Sequence, residues 1–434
     1  MSQAWLSYDK APPIWLPMRF FLAALGWLAV LTLTLAVATP QAPNRFQPLT
    51  VALTHELALG VLGNIMLGAA LQLLAVLAGL PLKRPARMLW LVWLPWQAGS
   101  GLLCAGFATG FAPRLLSAGG FLLVLALAGL LGHGIVGLLR SPARDSASRG
   151  MLLALSALAL AATLGLAMVA TLSGHTALPL LPLMHSHVLW AGIGWLLGLL
   201  IAISQTVVPM FLITPPYPRA VRWLSAGLLP LLAAIAVFTF WPLPGTDALA
   251  LALWLGVSAY GLLTLRLLRQ GRRPQDPARA QWLRAMLSLL AAALLALSCL
   301  AWPTRAELPL LAGFLWLGGL GLGVMLAMLG KIVPFLCWLH LKAQNPPRGL
   351  LPSTHGFLSE THHRRVGMLH VLWVAAGVLW CLAPQSTQWL FAAASALLAG
   401  TLAWLGLRIA NQYRAVQQQI QASRIVPTPS SPPH

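Results

Sequence analysis

The chain has 434 residues, of which 59% are hydrophobic and only 8% are charged, and its formal net charge is +20. So many hydrophobic residues carry more apolar surface than the core of a soluble protein of this length could bury, so the composition predicts an integral membrane protein. The basic residues are dispersed over loops and lie beside no recognisable nucleic-acid-binding module, which argues against a nucleic-acid partner. The apolar runs do not alternate as barrel strands would. The sequence therefore predicts an all-α protein whose first partner is the lipid bilayer.

About twelve apolar runs are each long enough to cross roughly 30 Å of hydrocarbon as a helix. They begin near Arg19, Val51, Met88, Leu115, Met151, Met184, Val221, Ala248, Leu283, Leu308, Val366 and Trp389. The connections between them are too short for a soluble domain. We therefore predict an N-terminal segment over 1–18 and a single transmembrane domain over 19–410. The polar tail over 411–434, which ends rich in Pro and Ser, is predicted to be disordered.

Loops rich in arginine and lysine alternate along the chain with loops that carry almost no charge. The first of these basic loops contains Lys83 and Arg87, and the next contains Arg140 and Arg149. Because basic loops of membrane proteins are enriched on the cytoplasmic side, we expect these loops to face the cytoplasm. An even number of spans then places both termini in the cytoplasm as well.

Spans 2, 6 and 10 share a weak repeat, in which a polar residue stands three positions before a proline or the residue that replaces it. The three segments are Gln72-Leu-Leu-Ala75, Thr206-Val-Val-Pro209 and Lys331-Ile-Val-Pro334. A proline inside a membrane helix kinks the helix and frees a carbonyl, which neighbouring helices or a cavity must satisfy. The recurrence at every fourth span predicts three four-helix units with pseudo-threefold symmetry.

Histidines stand at the entrances of spans 2 and 6, within Leu53-Thr54-His55-Glu56 and Met184-His185-Ser186-His187. An imidazole at membrane depth is unfavourable unless it is paired, hydrated or bound to another group. The predicted topology puts both entrances on the same, outer side, so that His55 and His187 could approach each other at one depth. In a helix, His185 and His187 would point about 200° apart, so they could not chelate one ion together. The spacing therefore favours His187 as the inward histidine.

Several motifs give the chain a resemblance to bacterial membrane proteins related to subunit I of the haem-copper oxidases and nitric oxide reductases. The segments that carry it are Ala11-Pro12-Pro13, Pro17–Phe21, Thr54-His55 with Gly68 and Gln72, His187–Trp195, Val208–Phe211, Thr214–Pro218 and Lys331–Phe335. The resemblance covers nearly the whole chain and implies an arrangement of helices like that of oxidase subunit I. The bacterial membrane proteins that the chain resembles more closely have no settled activity, so the resemblance to them implies none for this chain.

The resemblance implies a haem b clamped between the imidazoles of His55 and His187. Such a site needs one neutral ring nitrogen on each side of the macrocycle and an apolar slot around it. The implied role is electron transfer to a redox partner, or handling of a small gas or metal, in the plasma membrane of a bacterium. We therefore predict a cofactor-binding site at His55 and His187.

An oxidase-like reaction centre would need further ligands that this chain lacks. It would have a tyrosine four residues after a histidine on span 6, paired histidines on span 7 and a His-x-His on span 10. Ala191 follows His187 by four residues, and no histidine lies between Leu308 and Leu339. We therefore expect no dioxygen reduction and assign no catalytic residues.

Two further sites are open alternatives. If the turn after Pro182 is extended, Met184, His185 and His187 could bind copper, which accepts both soft and imidazole ligands. His185 otherwise lies at the wet interface. On the inner side, His133 and His370 could form a second site and hold a second haem, although histidines beside basic loops are common.

The alternative function is a transporter of a small solute or metal ion, in which kinked spans 6 and 10 line the route. Glu56, Thr206 and Lys331 would be the polar residues along this route. We expect Lys331 to snorkel to the cytoplasmic surface, with a proton or substrate-carboxylate site as the alternative. We expect Glu56 to contact interfacial water, with orientation of a histidine or a place in a proton path as alternatives. The sequence leaves the oligomeric state open.

Overall fold

Twelve long apolar helices build the fold, as the sequence predicts. The structure is a computed structural model, and it describes residues 7–40, 44–142, 145–241 and 244–425. Over these residues, twelve helices are long and apolar enough to cross a membrane. They are α1 (Trp15–Val37), α2 (Pro48–Val76), α3 (Pro85–Ala108), α4 (Pro113–Arg140), α5 (Ser146–Leu172), α6 (Leu180–Leu212), α7 (Arg219–Phe240), α8 (Thr246–Arg269), α9 (Pro277–Ala301), α10 (Glu307–Lys342), α11 (Glu360–Leu382) and α12 (Pro384–Ile425).

Most helices begin a few residues before the apolar run that predicts them, and many of these extensions begin at a proline. The helices that do so start at Pro48, Pro85, Pro113, Pro277 and Pro384. Proline suits the first helical position, because an N–H at that position has no partner within the helix and the φ angle of proline is already helical. A hydropathy pattern detects only the part of each helix that lies in hydrocarbon, so it places the start too late.

A wide π-helical segment recurs in α2, α6 and α10. The segments are Glu56–Gly63, Trp190–Leu197 and Leu315–Leu322, and each has eight residues. Each begins sixteen residues before the polar residue of the sequence repeat, namely Gln72, Thr206 and Lys331. The repeat read from sequence and the repeat in backbone geometry therefore share one register.

The three π segments meet at the centre of the bundle. A Cβ at Gly321 of α10 would lie 3.0 Å from a methyl carbon of Leu62 in α2 and 3.4 Å from a methyl carbon of Leu196 in α6. The segments of α2 and α6 therefore both pack against this glycine. The indole N–H of Trp316 also donates to the carbonyl of Gly192, at 3.1 Å. Helices α2, α6 and α10 therefore form the core, and each packs against the helices that flank it in sequence.

Side chains of the following helix bind the backbone of two π segments at the same position. The fourth residue of the segment in α2 is Leu59, whose carbonyl accepts from Trp96 Nε1 of α3 at 3.2 Å. The fourth residue in α10 is Gly318, whose carbonyl accepts from His370 Nε2 of α11 at 2.9 Å. A π turn interrupts the regular ladder of backbone hydrogen bonds, and these ring N–H groups provide additional partners inside the membrane.

Helix α12 continues to Ile425. Residues 411–425 are therefore helical, and our prediction of disorder is wrong for them. Val416 and Ile420 lie on one face of this extension and, with Ile409 just before it, pack with Leu341 and Phe357. The polar composition of 411–425 belongs mainly to the opposite face, which is why composition alone suggested disorder. Residues 426–434 lie outside the described part of the chain.

Helices α3 and α4 cross closely through a pair of glycines. A Cβ at Gly119 would lie 2.7 Å from the backbone nitrogen of Leu103 and 2.9 Å from the carbonyl oxygen of Gly99. Backbone atoms cannot rotate aside as the end of a side chain can. The two helices can therefore approach this closely only where both residues lack a side chain.

We expect Gly119→Ala to lower the free energy of unfolding of the protein in detergent by about 1–3 kcal/mol and with it the thermal midpoint, because the added methyl group forces the two backbones apart. Gly101→Ala on α3 is the matched control, since no heavy atom lies within 4 Å of a Cβ there. Alanine also favours a helix relative to glycine. Thermal denaturation followed by size-exclusion chromatography measures both. Equal midpoints for the two variants would contradict this packing.

Candidate histidine site

His55 lies on α2, immediately before the π segment of that helix. Its Nδ1 is 2.8 Å from the carbonyl oxygen of Val51, one turn earlier on the same helix. The imidazole also packs against the ring of Phe107 on α3, with 4.7 Å between ring centroids. The backbone of α2 and an aromatic ring of α3 therefore fix the orientation of this side chain.

His187 lies on α6, three residues before the π segment of that helix. Its Nδ1 is 2.8 Å from the carbonyl oxygen of Ala161 on α5. Gly165, one turn further along α5, leaves room for the ring, because a Cβ there would lie 3.2 Å from the imidazole Cε1. Helix α5 therefore holds this imidazole from outside its own helix.

The two histidines share one tautomer. A carbonyl oxygen only accepts hydrogen bonds, so Nδ1 of each ring must carry the proton, and Nε2 of each neutral ring is left with its lone pair. Among the described residues, neither Nε2 has a hydrogen-bond partner. His187 lies within electrostatic range of His55. The two histidines that the sequence singled out therefore lie within electrostatic range of each other, and each holds its Nδ1 against a backbone carbonyl with Nε2 unpartnered among the described residues.

His185 takes no part in this arrangement. Residues Leu180–Leu189 form a regular α-helix, so His185 and His187 point in different directions. His185 lies within electrostatic range of Arg45, in the loop before α2. The extended turn that would let His185 and His187 share a copper ion is absent, because the segment that follows Pro182 is helical.

Glu56 is buried, whereas we expected it to contact interfacial water. Its side chain is 4% exposed, and its Oε1 accepts a hydrogen bond from Thr34 Oγ1 of α1 at 2.8 Å. Its Oε2 is buried without a partner among the described residues. The helix continues past His55 into a packed region, so the start of the apolar run is not the membrane surface here.

Lys331 forms a buried ion pair and does not snorkel. Its Nζ lies 2.6 Å from Oδ2 of Asp276, and the two side chains are 13% and 3% exposed. The other carboxylate oxygen of Asp276 accepts from the backbone N–H of Ala278 and caps α9. The sequence signal for this partner was an aspartate directly before Pro277, which is typical of a helix N-terminus. That signal indicates a cap, and it does not indicate the lysine fifty-five residues away.

The remaining candidates lie apart from one another. His133 lies on α4, which packs against α3 and α5, whereas His370 lies on α11, which packs against α9, α10 and α12. The described contacts therefore do not bring His133 and His370 into one inner site. Thr206 and Lys331 occupy equivalent positions sixteen residues beyond the start of their π segments, while Glu56 opens its own segment. At 1.5 Å per residue this separates Glu56 from their level by about 24 Å, so the three are not neighbours along one route.

Over the described ranges, no group of three or more His, Cys, Asp and Glu side chains could hold a metal ion. A two-histidine clamp is smaller than such a group. Comparison with known proteins gives no family: no protein-family model matches the chain, and no curated protein matches it. The residues of the site must therefore carry the functional argument.

Proposed function

We propose that the protein binds a b-type haem between His55 and His187 and transfers electrons within the membrane. The observation that carries this proposal is the shared hydrogen-bonding pattern of the two rings. Each donates Nδ1–H to a backbone carbonyl, at 2.8 Å in both cases, and each keeps a free Nε2. Histidines that bind metals are typically oriented in this way by their second nitrogen.

The surroundings of the two rings fit a haem. His55 and His187 lie on different helices, α2 and α6, so each could hold a haem iron through its own Nε2. Phe107 offers an aromatic surface beside His55, and Gly165 keeps α5 clear of His187. A bound haem would supply one-electron chemistry, and the Nε2 atoms of His55 and His187 would hold its iron. Two protein ligands at the iron would favour electron transfer over binding of a gas.

The resemblance to oxidase subunit I supports the same proposal through the arrangement of helices. The central positions of α2, α6 and α10 and the repeated π segments are consistent with three related four-helix units. The missing reaction-centre ligands argue for a cofactor clamp without dioxygen reduction. The resemblance favours a bacterial plasma membrane, and the basic loops favour a cytoplasmic location for the Lys331 end of the bundle and for both termini.

Visible spectroscopy of the purified full-length protein tests this function. We expect a Soret band, sharp α and β bands on reduction and about one iron per chain. A protein that remains colourless after expression with added haem precursor would overturn the proposal. A transporter would then be the better hypothesis, although the ion pair to Asp276 already occupies Lys331, one of the three polar residues along its route.

A further inference from the structure

A second polar cluster lies between α9, α10 and α11, on the side of the bundle where Lys331 meets Asp276. Helix α9 contributes Gln281 and Arg284, which are one turn apart on one face. Helix α11 contributes His363, whose ring lies against Gly330 of α10, with 2.6 Å between Nε2 and the position of a Cβ. The cluster is independent of the His55 site and uses different helices.

These side chains carry polar atoms that no described residue satisfies. Gln281 is 1% exposed, and neither its amide oxygen nor its amide nitrogen has a hydrogen-bond partner in the described part of the chain. His363 is 4% exposed, and its Nε2 is also without a partner. The Nε of Arg284 is buried and unpartnered too. Buried polar groups are normally paired, so three such residues in one cluster call for a missing partner.

The charge of the cluster identifies the sign of that partner. Asp276 and Lys331 neutralise each other, at 2.6 Å. Arg284 forms no ion pair among the described residues, and its guanidinium therefore leaves the cluster with one uncompensated positive charge. Charged side chains within membrane spans are normally paired and mark binding sites or pathways. A guanidinium, an amide N–H and an imidazole N–H are all donors that suit an anion with oxygen atoms.

Gly367 on α11 brings the guanidinium of Arg284 and the amide of Gln281 together. A Cβ at this position would lie 2.7 Å from Nη2 of Arg284 and 3.8 Å from the amide carbon of Gln281. His363 lies one turn before Gly367 on the same helix, and His370 lies one turn after it, within electrostatic range of Arg284. The guanidinium and the amide can therefore reach the α11 surface only because residue 367 lacks a side chain.

We propose that Arg284, Gln281 and His363 form a binding site for a small carboxylate or a similar oxyanion. The planar guanidinium supplies the charge and can bind two oxygen atoms at once. Arg284 lies seven residues beyond Pro277, or about 10 Å along α9. A free oxyanion and a lipid phosphate offer the same oxygen atoms, and lipid-free detergent restricts the test to the free anion.

Anion-dependent thermal stability of the purified protein tests the site. The probes are formate, acetate, nitrate and phosphate, each compared with chloride at equal ionic strength in lipid-free detergent. We expect at least one oxyanion to raise the denaturation midpoint by about 2 °C or more. Arg284→Met should abolish this rise, whereas Arg222→Met, which removes an exposed arginine of α7, should retain it.

Two further variants separate binding from folding. Gly367→Ala keeps every charge but displaces the guanidinium, so it should reduce the anion effect, and Gln281→Leu should reduce it through loss of the amide. Arg284→Met should also be at least as stable as the wild type without anion, because it removes an uncompensated charge. The proposal is overturned if no probe stabilises the wild type more than chloride does. It is equally overturned if the stabilisation persists in Arg284→Met. A haem-free protein would leave this test unchanged.

Discussion

Replacement of either His55 or His187 by alanine should abolish the haem spectrum of the purified protein. In the proposed site, each variant would remove one of the two Nε2 atoms that hold the haem, and a single remaining imidazole would hold it much less tightly. We expect the Soret band to fall to a small fraction of the wild-type value at equal protein concentration. Absorbance at the Soret maximum, normalised to protein and iron content, measures the effect.

His185→Ala is the matched control for these two variants. His185 is two residues from His187 on the same regular helix, so its side chain points in a different direction and lies outside the proposed clamp. This variant should keep a wild-type Soret band and reduced spectrum. Added imidazole should restore part of the spectrum of His55→Ala or His187→Ala, because it can enter the space left by the side chain. Full haem retention in both alanine variants would refute ligation by this pair.

The fold was predictable from sequence because apolar length and helical repeat are local properties. Twelve runs of adequate length predict twelve spans, and the repeat of Gln72, Thr206 and Lys331 has the same register as the π segments. The π geometry itself was not predicted. The close approach of α2, α6 and α10 at Gly321 was not predicted either, because the sequence of a single helix does not show which other helices pack against it.

The histidine site was predictable in part. Polar residues are rare in these spans, so His55 and His187 stand out, and helical topology places them at one end of the bundle. The backbone partners Val51 and Ala161 depend on local ring orientation and on packing of α5 against α6, neither of which has a sequence signal. Depth was also misjudged for Glu56, because the start of an apolar run does not reveal which helices surround it.

The buried pair of Asp276 and Lys331 gives the largest stability effect that we expect. Asp276→Asn keeps an oxygen atom that can cap α9 through Ala278, but it removes the negative charge beside Lys331. The lysine is then left charged and buried without its partner, which costs about 3–5 kcal/mol when a buried pair is broken from one side. We expect a large fall in the thermal midpoint, measured by chromatography after heating in detergent.

The double variant Asp276→Asn with Lys331→Met separates this cost from any general disturbance of α9. It removes both charges and keeps a long apolar side chain at position 331, so most of the lost stability should return. Replacing a buried pair by apolar groups of similar size is often neutral or even stabilising. Losses that simply add in the double variant would mean that the two side chains do not interact, and the ion pair between α9 and α10 would be refuted. Recovery would instead show that the pair's stability depends on mutual neutralisation, which is the condition that leaves Arg284 as the uncompensated charge of the neighbouring cluster.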